Sequence, residues 1–97
     1  LTEQYVLQQL KTKKEIVIKY WSAERASAEI DFLIQHKGRI IPIEVKAEEN
    51  LKAKSLKSYY QKFSPPVSIR TSMSDFRNEE WLTNLPLYAV GKITALE

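Results

Sequence analysis

A chain of 97 residues, 43% of them apolar and 28% charged, can bury one hydrophobic core, and none of its apolar runs approaches the roughly 18 residues of a membrane span. With no cysteine and a single histidine, His36, it excludes disulfides, thiolate metal sites and a histidine-rich zinc centre, so any metal must be held by oxygen ligands. The net charge of +3 and pI near 9.2 are compatible with a nucleic-acid partner without requiring one.

Thr2 suits the N-cap of a helix running to about Lys11, on which Val6, Leu7 and Leu10 share a face. Glu3 precedes these by helical steps and is expected on the same face, pointing toward the core or a site. The plainer alternative is an acid in the first turn that complements the helix macrodipole, worth a few tenths of a kcal/mol up to about 1. Ile16 to Ala23 is β-branched and aromatic, Glu24 to Ala26 is a polar break, and Ala28 to Gln35 resumes as a strand. In this second run Ile30, Phe32 and Ile34 face one way while Glu29, Asp31 and Gln35 face the other, with Leu33 the apolar exception.

Lys37-Gly38 reads as a two-residue hairpin loop leading to a strand from Arg39 to Ala47. Ile41, Ile43 and Val45 lie on one face of that strand, and Ile40, Pro42, Glu44 and Lys46 on the other. Pro42 cannot donate to a ladder, which predicts an edge position or a bulge; a bulge would shift the register by one residue. Asn50 can cap a helix from Leu51 to Phe63, with Leu51, Leu56, Tyr59 and Phe63 as its apolar stripe and Lys54, Lys57 and Gln61 on the opposite side. Pro65-Pro66 ends it. Val67 to Thr71 reads as a strand and Trp81 to Leu85 as a short last one, and Pro86 suits the first turn of a terminal helix through about Val90. Trp21, Tyr59, Tyr60 and Trp81 read as core residues rather than base-stacking platforms. No repeat or internal boundary is visible. Residues 1–95 are expected to form one domain of a longer protein, because the chain opens on Leu1 without a leader, and Leu96-Glu97 reads as a cloning remnant.

With that hairpin loop His36 faces Arg39 and Asp31 faces Glu44. Opposed carboxylates destabilise a sheet face, and a cation between them offsets the repulsion; two hard oxygen donors beside a lysine suit Mg²⁺ or Mn²⁺. Asp31 and Glu44 are therefore the candidate ligands, with the Val45 carbonyl and Glu3 as further donors. Lys46 would orient a water or stabilise charge on a phosphate in phosphodiester hydrolysis. Lys54, Lys57 and Gln61 are candidates for the DNA backbone, and Arg70 binds phosphate or pairs with an acid. The plainer alternatives are a solvated sheet face carrying a Glu44–Lys46 surface pair worth about 0 to 1 kcal/mol, and a helix side that is merely wet.

Glu3 on the first helix, Asp31 closing Glu29-Ile30-Asp31, and Ile43-Glu44-Val45-Lys46 together resemble the PD-(D/E)XK nuclease superfamily, whose pattern is a carboxylate followed by Asp/Glu-x-Lys. Ile30 stands where that pattern has proline. More narrowly, Tyr20-Trp21-Ser22, Glu29 to Ile34, Pro42 to Lys46, Lys54-Ser55-Leu56 and Leu85-Pro86-Leu87-Tyr88 resemble an uncharacterised domain at the C-terminal end of bacterial and archaeal AAA+ ATPases. The resemblance implies an α/β, restriction-endonuclease-like core in the order α-β-β-β-α-β, a mixed sheet flanked by helices. It also implies a Mg²⁺-dependent DNA endonuclease, cytoplasmic, attached to an ATPase module, with branched DNA as a candidate substrate and a homodimer as a candidate assembly. The alternative is a catalytically inactive nuclease fold that binds DNA or a partner protein.

Overall fold

The computed structural model describes residues 2–22, 29–46 and 54–96. Its elements are α1 (Thr2–Lys11), β1 (Val17–Ser22), β2 (Glu29–His36), β3 (Arg39–Val45), α2 (Lys54–Phe63), β4 (Ile69–Ser72), β5 (Arg77–Asn78) and β6 (Thr83–Pro86), followed by a 3₁₀ segment, Leu87–Leu96, kinked at Lys92. The expected start of β2 at Ala28, the end of β3 at Ala47, and the cap Asn50 with Leu51 lie outside the described residues.

The hairpin forms as its loop dictates. Lys37 and Gly38 both take positive φ, 53° and 78°, the geometry of a type I′ turn whose twist matches the flanking strands. A Cβ at position 38 would meet nothing within 4 Å, so the φ angle and not crowding calls for glycine there. The register runs unbroken from His36↔Arg39 through Leu33↔Pro42 to Phe32↔Ile43. No bulge falls at Pro42; of the two expectations, the edge position is the one that applies locally. Pairs in an antiparallel ladder alternate between hydrogen-bonded and not, which turns the nitrogens of Ile41 and Ile43 toward β2 and that of Pro42 away. On that far side β4 begins only at Ile69, opposite Ile43, so the missing N–H costs no ladder bond. The same alternation aims the Lys46 amide at β4, where it donates to the Thr71 carbonyl at 2.9 Å. The irregularity lies instead between β1 and β2: between Lys19↔Leu33 and Trp21↔Ile30, Asp31 and Phe32 of β2 oppose the single residue Tyr20 of β1.

The six strands form one mixed sheet in the order β1-β2-β3-β4-β6-β5, with β3, β4 and β6 parallel. Two apolar layers cover it. Val6, Leu10 and Ile16 from the N-terminal region and Val90 and Ile93 from the C-terminal segment pack on Phe32, Ile34, Ile41, Ile43, Ile69 and Leu85. On the other face Leu56 and Tyr59 of α2 meet Leu33 and Leu82, with Ile40 and Trp81 at the margin. Leu33, the apparent exception in β2, is thus the anchor for α2. Phe63 stays 50% exposed at the helix end, its ring 4.6 Å from Tyr59, so the expected stripe stops one turn short of being buried. Ser64 then takes a left-handed φ of 47° and its amide bonds the Tyr60 carbonyl, closing α2 before Pro65-Pro66. The fold is α/β with helices on both faces of a mixed sheet.

Candidate functional site

Alternation along β3 sends Ile41 and Ile43 into the larger core and Glu44 to the face beneath α2. There the Glu44 carboxyl is buried, the residue being 6% exposed, and the Lys46 ammonium lies 3.8 Å from its Oε1. This is no solvated surface pair. Burying a carboxylate costs several kcal/mol unless charge and hydrogen bonds offset it, and the neighbouring strand supplies the next cation. Parallel register pairs Glu44 with Arg70, Arg70 with Asn84, and antiparallel register pairs Asn84 with Arg77, so these positions form one row across the sheet.

Arg70, 3% exposed, is held on two sides: its Nε donates to Asn84 Oδ1 at 2.9 Å and its guanidinium pairs with Glu79. Ser72 Oγ donates to the same Asn84 oxygen at 2.8 Å, while the Asn84 amide donates to the carbonyls of Ser74 and Asp75. One asparagine thereby ties β4, β6 and the segment between them. Of the two roles open to Arg70, pairing with an acid is the one its surroundings fill; a phosphate could not reach it without opening the row.

Lys54, Lys57 and Gln61 are exposed along α2, as its amphipathic pattern requires. Tyr59 is buried, and loss of hydration pushes its phenol above its ordinary value. Tyr60 and Trp81 pack ring to ring, centroids 5.3 Å apart, in keeping with a packing role.

Glu3 departs from expectation. It is exposed in the first turn of α1, and α1 covers the sheet face opposite to that of Glu44. Its side chain does not point into the core with Val6 and Leu10, and the macrodipole reading suits its position. Asp31 lies on β2 one residue beyond Phe32↔Ile43, the last pair of the β2–β3 register, and at the bulge where Asp31 and Phe32 oppose one residue of β1; its side chain is outside the described residues. Among the described residues no group of three histidine, aspartate or glutamate side chains gathers closely enough to hold a metal. The buried Glu44 carboxylate is a hard oxygen donor of the kind Mg²⁺ or Mn²⁺ takes. Sequence reading offered an acid as one partner for Arg70 but did not single out Glu79 or Asn84, whose only signal was a polar residue in an otherwise apolar or turn-like stretch.

The model of a family described as "Domain of unknown function (DUF4143)" matches residues 1–90. No curated protein and no solved structure matches the chain.

Proposed function

Since the chain belongs to the DUF4143 family, whose description assigns no activity, we propose its function from the site: a Mg²⁺- or Mn²⁺-dependent DNA endonuclease domain that serves an ATPase module in its parent protein. The observation that carries this reading is the buried Glu44 carboxylate with the Lys46 ammonium 3.8 Å away, at the end of β3. A structural ion pair gains little from burial, because desolvation consumes most of the Coulombic gain; a carboxylate kept beside an ammonium at a strand end is the arrangement of a site.

In this reading Asp31, Glu44 and the Val45 carbonyl hold the ion, and Glu3 is assigned no ligand role. Bound there, the metal supplies an activated water and neutralises charge on the phosphate. Lys46 donates to the attacking water or to a non-bridging phosphate oxygen, and its compact, rotatable ammonium suits either. Lys54, Lys57 and Gln61 grip the backbone of the duplex, each lysine contributing a salt-dependent share of affinity. Arg70, engaged with Asn84 and Glu79, is assigned no contact with DNA.

The second reading, a nuclease fold that binds DNA without cutting it, draws on the exposed α2 stripe, which needs no carboxylate to function. Incubation with labelled duplex and four-way-junction DNA in Mg²⁺ or Mn²⁺ separates the two. The endonuclease reading expects metal-dependent cutting that falls at least a hundredfold in Lys46→Ala and Asp31→Ala while circular dichroism stays unchanged. DNA retention with no cutting, or equal cutting by wild type and variants, rejects it.

A further inference from the structure

We propose that a groove at the N-terminal ends of β4 and β6 binds a lysine- or arginine-bearing peptide segment of a partner protein. This does not rest on the endonuclease reading. The groove encloses about 550 Å³, and its walls include Ser68, Phe76, Glu79, Glu80, Trp81 and Leu82. That volume lies within the roughly 300 to 1,000 Å³ typical of ligand sites. Because β3, β4 and β6 run parallel, the groove opens at the end of the strands opposite to Lys46, and the two sites can be filled together.

The chemistry of the lining selects the occupant. Phe76 (51% exposed), Trp81 and Leu82 offer apolar surface for a methylene stem, and aromatic rings in the lining suit a cation. Glu79 and Glu80 add carboxylates, and no lysine or arginine lines the groove, although the chain as a whole carries a net charge of +3. It is an acidic spot on a basic domain, which repels nucleic acid and favours a cation. Glu79 already accepts a guanidinium from below, that of Arg70, leaving Glu80 as the more open carboxylate. A second observation is independent of charge: Ser68 is 2% exposed and its hydroxyl has no hydrogen-bond partner among the described residues. A buried hydroxyl left unsatisfied is costly, and a peptide N–H or C=O entering the groove would satisfy it.

Trp81 reports occupancy directly. The chain has two tryptophans, and Trp21→Phe leaves Trp81 as the sole indole. The probe is an acetylated Leu-Arg-Leu peptide, with Leu-Gln-Leu as its neutral counterpart. Titrating the arginine peptide is expected to give a saturable change in Trp81 fluorescence that weakens with salt. The Glu80→Gln and Phe76→Ala substitutions should each weaken binding about five- to thirtyfold, the range of one partly desolvated cation–aromatic or charge contact. Both positions are exposed, so the fold tolerates the changes. Lys46→Ala, which disables the proposed nuclease site, should leave the titration unchanged. Equal binding of the glutamine peptide, indifference to Glu80→Gln, or no saturable change at millimolar peptide would overturn the proposal.

Discussion

The two faces of the sheet are built on different principles. The face under α1 and the C-terminal segment is a continuous apolar layer of isoleucine, leucine, valine and Phe32. The face under α2 has a smaller apolar cluster flanked by the row Glu44, Arg70 and Asn84, whose charges and amides are buried in the protein. Stability is concentrated on the first face and chemistry on the second. A buried polar row repays its desolvation poorly, so its presence on one face only argues that it serves something other than holding the sheet together.

The largest effect should come from the apolar face. Phe32→Ala is expected to cost about 3 to 5 kcal/mol, through lost transfer energy and a cavity that its neighbours cannot fill, read as a fall in the urea midpoint with the slope preserved. If the smaller cluster mattered as much, Leu56→Ala would match it; a clearly smaller loss for Leu56→Ala sharpens the contrast.

Arg70→Met comes next, at about 3 kcal/mol, the low end of the cost of breaking a buried pair, since Lys46 still faces Glu44 and Glu79 can turn to solvent. The row predicts that Glu79→Gln costs much less than Arg70→Met. Equal losses would mean that Arg70 contributes to stability only through Glu79.

The smallest effect lies at high pH. The Tyr59 phenol is raised above its ordinary 10.0 by burial, so the unfolded chain gives up that proton first. The folded state therefore holds more protons through this window: the stability tied to Tyr59 is complete below about pH 10 and declines as pH rises through the folded value. Thermal midpoints across this range should drop less steeply in Tyr59→Phe than in wild type.

Much of the first face was legible in the sequence, because period-two and helical patterns of apolar residues are local signals. The hairpin, α1 and the register from His36 to Phe32 follow from Lys37-Gly38 and the alternation around it. Local signals failed where partners are distant. β5 consists of Arg77 and Asn78, both exposed, with no apolar alternation to mark it; only pairing with β6 makes it a strand. β4 and β6 each begin two residues later than expected, since Val67 and Trp81 pack against the cores as connecting chain rather than as strand. At the site, the shared face of Glu44 and Lys46 was readable from alternation. The burial of Glu44 was not, because it depends on β4 lying alongside. Arg70 was ambiguous for the same reason: its partners Asn84 and Glu79 are set by the sheet order. The spacing of Glu3 to Val6 and Leu10 suggested an inward acid, but a first-turn residue lies at the edge of the helical face and reaches solvent.

Glu44 is either a metal ligand or one end of a structural ion pair, and Mn²⁺ binding followed by electron paramagnetic resonance separates the two without any substrate. A ligand role predicts saturable binding of Mn²⁺ to the wild-type chain, displaced by Mg²⁺ and lost in Glu44→Gln while the circular dichroism spectrum is retained. No binding to wild type, or the same binding to Glu44→Gln, would contradict it.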